Sequence, residues 1–66
     1  MKNTIRVARA EQRITQQELA DKVDVSRQTI NAIESGKFVP STVLALKIAR
    51  EFGKAVEDIF QLEEED

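Results

Sequence analysis

The chain has 66 residues, of which 41% are hydrophobic, and its ten basic and twelve acidic side chains give a net charge of −2. A chain of this length forms one domain and buries only about 60% of the surface that its unfolded form exposes. Because the sequence has no Cys and no His, disulfides and ordinary zinc sites are excluded, and the commonest general base and the strongest nucleophile are missing. We therefore expect no catalytic residues, no metal, no cofactor and no enzyme activity.

Acidic side chains are concentrated at the end of the sequence, in the run EEED at residues 63–66. Residues 1–62 hold ten basic and eight acidic groups, a balance of +2, which permits DNA binding without being evidence for it. We expect residues 1–62 to form the folded domain and residues 63–66 to form an acidic tail. No signal peptide precedes the domain and no apolar run reaches the ~20 residues of a membrane span, so an intracellular protein is expected.

The first two helices follow from apolar periodicity and a capping motif. Periodicity predicts a helix over about residues 4–12. Thr15 and Glu18 have the spacing of a capping box, in which each side chain satisfies a backbone N–H at a helix start. The second helix is therefore expected over about residues 16–23.

Two serines mark the next helix starts. Ser26 predicts an N-cap for a third helix over about residues 27–35, and Ser41 predicts the same for a fourth. Gly53 ends the fourth helix, and a short fifth helix is expected over about residues 56–59. The fourth helix is predicted to have a wide apolar face formed by Val43, Leu44, Leu46, Ile48, Ala49 and Phe52.

Residues 60–63 alternate between apolar and polar side chains. Alternation over four residues is a weak strand signal and is also compatible with a frayed helix end. We favour a short strand, because the helical pattern lapses there.

The second and third helices are joined by a very short turn, so they must cross at a steep angle, as in a helix-turn-helix. Asp24 lies in that turn and tolerates the left-handed conformation better than most residues. The third helix then has one free face with Arg27, Gln28 and Asn31. Arg can bond guanine O6 and N7, and Gln or Asn can bond adenine N6 and N7, in the major groove.

The stretch TQQELADKVDVSRQTINAIESGKFVPS resembles the Cro/repressor-type helix-turn-helix regulators, the XRE family, and the rest of the chain resembles the short cytolysin-repressor-like members. The resemblance implies an all-α fold, a five-helix lambda-repressor-like DNA-binding domain. It further implies a homodimeric repressor bound to a palindromic double-stranded DNA operator in a prokaryotic or phage cytoplasm. It implies no membrane association, and no small-molecule effector is evident.

The resemblance also assigns roles to individual residues. Helix three is implied to be the recognition helix, with Arg27 and Gln28 as the main base contacts. The full set of DNA-binding residues is Gln16, Ser26, Arg27, Gln28, Thr29, Asn31 and Lys37. Family members often have Gly where this chain has Asp24. An ion pair between Arg9 and Glu34 is expected, because both are charged residues beside core positions and the matching family positions commonly pair.

A dimer interface is predicted at the C-terminal end, where apolar side chains exceed what one small core plausibly absorbs. Its predicted members are Val56, Ile59, Phe60 and Leu62, with the short strand pairing between subunits. A different class of function, an antitoxin-like protein-interaction module with secondary DNA binding, remains the alternative. A purely structural helical bundle fails to explain the exposed Arg-Gln-Thr opening of the third helix.

Overall fold

Five helices and a two-stranded sheet make up the chain in the computed structural model, which describes residues 1–66. The elements in chain order are β1 (Lys2–Asn3), α1 (Ile5–Gln12), α2 (Gln16–Lys22), α3 (Arg27–Glu34), α4 (Thr42–Phe52), α5 (Val56–Ile59) and β2 (Phe60–Gln61). The predicted five-helix order is confirmed, together with a helix-turn-helix formed by α2 and α3. No helix is long and apolar enough to cross a membrane.

The predicted helix starts and ends are set by local side-chain and backbone chemistry. The hydroxyl oxygens of Thr15, Ser26 and Ser41 each accept a hydrogen bond from a backbone N–H three residues later, at 3.0, 3.2 and 3.2 Å. Gly53 closes α4 with a φ of 64°, and Gly36 follows α3 with a φ of 79°. Glycine adopts this left-handed conformation without the penalty that a Cβ imposes.

One apolar core joins all five helices and the strand β2. Its thirteen buried members are Ile5, Ala8, Leu19, Ala20, Val23, Ile30, Ile33, Leu44, Ile48, Ala49, Phe52, Ile59 and Phe60. Val25 and Val56 are half-buried and pack against this core.

The wide apolar face predicted for α4 is wrong in part. Leu44 and Ile48 are buried along one stripe, whereas Val43 and Leu46 are 63% and 54% exposed. Because an α-helix has 3.6 residues per turn, Val43 and Leu46 lie on a second stripe that turns away from the first. The small core covers only one of the two stripes.

The strand predicted near the C-terminus is present as β2, but its partner is within the same chain. It pairs antiparallel with β1, with Lys2 opposite Gln61 and Asn3 opposite Phe60. The backbone N–H of Thr4 extends the contact by donating to the Ile59 carbonyl at 2.9 Å. The sequence analysis missed β1, so one edge of the strand expected between subunits is already occupied.

This pairing changes the predicted dimer interface. Ile59 is fully buried and Phe60 is 8% exposed within the single chain, so the expectation that these two side chains exceed the capacity of the core is wrong. β1 pairs with β2 beside these residues, and Met1 packs against the core. Leu62, at 79% exposed, is outside the core and still available to a second subunit.

The acidic tail folds back beside β1. The α-ammonium group of Met1 lies 3.1 Å from a Glu63 carboxylate oxygen and 2.9 Å from an Asp66 carboxylate oxygen. The Asp66 carboxylate also accepts the backbone N–H of Glu63 at 2.8 Å. The predicted boundary between domain and tail after residue 62 remains a prediction.

Arg13 generates a stability prediction because it ends α1 with a left-handed φ of 57°. Its side chain is exposed and makes no hydrogen bond or ion pair, so a replacement loses little. The substitution Arg13→Gly should raise the free energy of unfolding by about 1 kcal/mol, because glycine relieves the Cβ clash. The midpoint of urea denaturation measures this change.

The matched control is Gln12→Gly, at the last residue of α1. There the backbone is helical, so glycine should lower the free energy of unfolding by about 0.5–1 kcal/mol. Equal destabilisation by the two substitutions would contradict the assignment of strain to Arg13.

Candidate nucleic-acid interface

The turn between α2 and α3 reverses the chain within four residues. After α2 ends at Lys22, Asp24 adopts a left-handed φ of 62°, as predicted. The backbone N–H of Val25 then donates to the Ala20 carbonyl at 3.0 Å. Ser26 is extended at the N-cap of α3, so the new helix starts in a different direction without a longer loop.

The crossing of α2 and α3 is held by buried side chains. Leu19 and Ala20 of α2 and Ile30 of α3 have no solvent exposure, and Ile33 has 1%. The small Ala20 side chain allows close approach of the two helices, and the branched residues fill the space beside it. The helix α3 is therefore fixed by one face, and its opposite face is turned outward.

The outward face of α3 has the predicted base-contacting side chains. Arg27, Gln28 and Asn31 are all exposed, and Asn31 lies one turn from both Arg27 (i, i+4) and Gln28 (i, i+3), so the three side chains project within about 100° of one another around the helix axis. Lys37, also exposed, follows the end of the helix. A helix with such a face fits the major groove of B-DNA, where these side-chain types match base edges.

The two hydroxyl residues of the predicted set have a structural role at the start of α3. The Ser26 and Thr29 hydroxyl oxygens are 3.0 Å apart, and the Thr29 backbone N–H donates to Ser26 Oγ at 3.2 Å. Both groups therefore stabilise the helix cap. Their contact with DNA remains a prediction.

The predicted ion pair between Arg9 and Glu34 is present and has two hydrogen bonds. Arg9 Nε donates to Glu34 Oε2 at 2.6 Å, and Arg9 Nη2 donates to Glu34 Oε1 at 3.1 Å. The third guanidinium nitrogen, Nη1, donates to the Ile14 carbonyl at 3.1 Å. The Glu34 side chain is only 1% exposed and the Arg9 side chain is 15% exposed, so the pair joins α1 to the end of α3 almost out of solvent.

The surroundings of Glu34 keep it ionised. Burial raises the pKa of its carboxyl group. Hydrogen bonds from Arg9 and Gln16 and the charges of Arg9 and Arg6 lower this pKa by more than burial raises it, so the pKa lies below its ordinary value. The hydrogen bond to Glu34 raises the pKa of Arg9 above its ordinary value, against the effect of burial. The charged state of each partner thus stabilises that of the other.

Gln16 connects this ion pair to the recognition helix. The sequence analysis missed this connection. Its Nε2 donates to Glu34 Oε1 at 3.1 Å and to Asn31 Oδ1 at 3.4 Å, and its Oε1 accepts from Arg27 Nη1 at 3.4 Å. From the sequence, Gln16 was expected only as a DNA-binding residue. No sequence pattern signals this contact, because 18 residues separate Gln16 from Glu34.

Apart from Arg9, the cationic side chains divide into paired and unpaired groups. Arg6, Lys22 and Lys54 each have a carboxylate within 3.7 Å. Six cations have no carboxylate within 4.0 Å: Lys2, Arg13, Arg27, Lys37, Lys47 and Arg50. Three of these, Arg13, Arg27 and Lys37, lie within or directly beside the helix-turn-helix, where a phosphate backbone could be bound.

Comparison with protein-family models gives a match to the helix-turn-helix family over residues 5–59. The chain belongs to the XRE-type helix-turn-helix family. The match includes every helix from α1 to α5. Membership makes the chain a helix-turn-helix DNA-binding regulator by class.

Full-length relatives support this membership. An uncharacterized HTH-type transcriptional regulator of Methanocaldococcus jannaschii is 53% identical over 66 residues, which cover 100% of both chains. The HTH-type transcriptional regulator YgzD of Bacillus subtilis is 48% identical, again over 100% of both. A third HTH-type regulator, from Methanothermobacter thermautotrophicus, is 50% identical and covers 98% of this chain and 96% of its own.

Neutralisation of Glu34 should destabilise the fold in a pH-dependent way. Glu34→Gln leaves the Arg9 charge poorly solvated and unpaired, which should lower the free energy of unfolding at pH 7 by on the order of 3 kcal/mol. Since the folded pKa of Glu34 is depressed, its contribution is present above the unfolded value of about 4.3 and is lost as the pH falls through the folded value. Urea denaturation should therefore show the deficit of the variant shrinking below about pH 4.

Glu11→Gln is the control, because Glu11 forms an exposed ion pair with Lys54 at 3.1 Å. The same chemical change there should cost less than about 1 kcal/mol at every pH. A Glu34→Gln deficit that stays constant from pH 7 to pH 3 would show that the carboxylate charge is not responsible.

Proposed function

We propose that this chain binds a palindromic double-stranded DNA operator as a symmetric homodimer and represses transcription, in the cytoplasm of its host. The observation that supports this proposal most directly is the outward face of α3, where Arg27, Gln28 and Asn31 are exposed on a helix held from behind by buried side chains. A polar helix face is often only solvated. Here it stands on the second helix of a helix-turn-helix, which is the element that enters the major groove in this class.

Gln16 and Lys37 are proposed to contact the DNA backbone on either side of the bases. Gln16 is the first residue of α2, and Lys37 follows α3 with its ammonium group unpaired. Contacts with phosphates fix the register of a protein on DNA, whereas contacts with base edges specify the sequence. In this arrangement, Gln16 and Lys37 fix the position of the protein on DNA, and the exposed face of α3 specifies the base sequence.

A dimer is proposed because one helix-turn-helix contacts too few base pairs to be specific. The two recognition helices of such a dimer lie about 34 Å apart, one turn of DNA. The longest dimension of one subunit is 31 Å, so two subunits side by side have a suitable size. Leu62, which is exposed, and Val56, which is half-buried, are the interface residues that remain available from the predicted set.

Repression would follow from occupancy of an operator that overlaps a promoter. The antitoxin-like alternative would need a second protein to cover the same apolar residues. No feature of the structure favours such a partner over a second copy, and the variants below distinguish them.

Gln28→Ala should weaken operator binding by about 1–3 kcal/mol and relax the preference at one base pair, because a side-chain contact with a base edge is lost. The operator is first obtained by selection from random DNA with the intact protein. Titrations of the operator and of its single-base variants then give the change at each position. An equal loss on operator and random DNA would make Gln28 a backbone contact.

Lys37→Ala provides the contrasting variant. Loss of a phosphate contact should weaken binding to all sequences alike and reduce the slope of log affinity against log salt concentration by about one unit. An unchanged slope would remove Lys37 from the set of phosphate contacts.

Leu62→Glu should convert the dimer to a monomer, because a charge would be placed in an apolar interface. Sedimentation equilibrium at micromolar concentration measures the change. The matched control is Val7→Glu, since Val7 is an exposed apolar residue on α1 with 59% exposure; this variant should remain a dimer.

Val43→Glu and Leu46→Glu test the exposed stripe of α4 as the competing surface. Dissociation by either of these variants, with Leu62→Glu still dimeric, would place the interface on α4 and refute the C-terminal one. A monomeric intact protein that binds a second protein from its host through Leu62 would favour the interaction module.

A further inference from the structure

We propose that Gln16 and Glu34 are positioning residues that fix which hydrogen-bonding groups Asn31 and Arg27 present to DNA. This inference rests on the proposed function, and it goes beyond it by assigning a specificity role to two residues that need not touch a base. The role follows from a series of hydrogen bonds that begins at the buried Glu34 carboxylate, continues through the Gln16 amide and ends at Asn31 and Arg27.

The orientation of the Gln16 amide is set by its neighbours. Its Nε2 lies 3.1 Å from Glu34 Oε1, and its Oε1 lies 3.4 Å from Arg27 Nη1. An ionised carboxylate only accepts hydrogen bonds and a guanidinium group only donates them. A flipped amide would place oxygen against the carboxylate and NH₂ against the guanidinium, so only one orientation satisfies both neighbours.

The carboxylate that sets this orientation cannot turn away. Two Arg9 nitrogens hold Glu34 at 2.6 and 3.1 Å, and the Glu34 side chain is 1% exposed. Rotation into another rotamer would bury a charge without its partner, which is strongly unfavourable. The orientation of the Gln16 amide is therefore set by the buried Arg9–Glu34 ion pair.

Gln16 in turn sets the orientation of the Asn31 amide. Its Nε2 also lies 3.4 Å from Asn31 Oδ1, so the Asn31 oxygen is turned toward Gln16 and the Asn31 NH₂ group stays free as a donor. Asn31 is exposed, and without this contact its amide could rotate and exchange donor for acceptor. With the contact, the group offered to DNA is a donor, which suits an acceptor on the base edge such as a purine N7.

Gln16 also restrains Arg27, through the oxygen atom of its side-chain amide. One N–H of the terminal nitrogen Nη1 donates to Gln16 Oε1, which leaves Nε, Nη2 and the second N–H of Nη1 to donate to DNA. Hydrogen bonds of 3.4 Å between exposed groups contribute little to folding. Their effect should therefore be seen in base selectivity and hardly at all in stability.

The test measures selectivity, defined as the affinity for the selected operator divided by the affinity for each single-base variant. Gln16→Ala should lower selectivity by about tenfold at the base pairs contacted by Asn31 and Arg27, in the range of one lost base contact. A uniform loss on all sequences, with selectivity unchanged, would show that Gln16 is only a phosphate contact and would overturn the proposal. The control is Gln17→Ala, which removes an exposed amide bonded to Asp21 at 2.8 Å and should leave selectivity unchanged.

A further variant locates the effect. In an Asn31→Ala background, Gln16→Ala should no longer change selectivity at the Asn31 position; additive effects of the two substitutions would overturn the proposal. Urea denaturation of each variant confirms that it is folded under the binding conditions.

These outcomes separate the inference from the proposed function. If the intact protein selects no sequence from random DNA, sequence-specific binding itself is wrong. If it selects an operator and Gln16→Ala leaves the relative affinities unchanged, only the positioning role is wrong.

Discussion

The buried carboxylate of Glu34 is the group on which the geometry of the interface depends. A carboxylate with 1% exposure would be severely destabilising without a partner, because a charge loses its hydration when it is buried. Arg9 supplies two hydrogen bonds and the opposite charge, and Gln16 supplies a further hydrogen bond. These partners come from α1 and α2, so the requirement to satisfy one charge ties three helices together at the end of α3.

The same end of α3 is held from a second side. Asn3 Nδ2, from β1, donates to the Ile33 carbonyl at 2.8 Å, and this carbonyl, in the last turn of α3, also accepts the Gly36 backbone N–H at 3.0 Å. The C-terminal end of α3 is thus fixed by Arg9 through a side chain and by Asn3 through the backbone. Its N-terminal end, with Arg27 and Gln28 exposed, is the part left accessible. A helix held along one face and at its C-terminal end presents contact residues on its opposite face without loss of orientation.

Local chemistry made much of this fold predictable. The caps at Thr15, Ser26 and Ser41 depend on residues three positions apart, so a sequence pattern is enough to find them. The left-handed Asp24 was anticipated because family members often have Gly at this position, whereas Arg13 was missed because nothing in an arginine side chain signals a left-handed backbone. The Arg9–Glu34 pair was predictable only with the help of family resemblance, since 25 residues separate the two.

Predictions that depended on the capacity of the core failed. The number of apolar side chains near the C-terminus suggested a surplus, but β1 pairs with β2 and Ile59 and Phe60 are enclosed. Two of the apolar side chains that the core leaves uncovered lie on α4, where Val43 and Leu46 are exposed. Sequence periodicity shows which residues share a face, but it does not show how much of that face a small core will cover.

The charge distribution explains how a chain with a net charge of −2 can present a surface suited to DNA. In the tail, Glu63 and Asp66 are bound to the Met1 ammonium group, and at the end of α3 the charge of Glu34 is matched by that of Arg9. Arg27 and Lys37 have no carboxylate within 4.0 Å, so their charges remain available beside the exposed face of α3. Because charges beyond about 10 Å are largely screened at physiological salt, a phosphate at this face responds to these nearby cations more than to the net charge of the chain. The negative total is therefore compatible with a locally favourable interface, and the pairing of Glu34 with Arg9 keeps this carboxylate from opposing it.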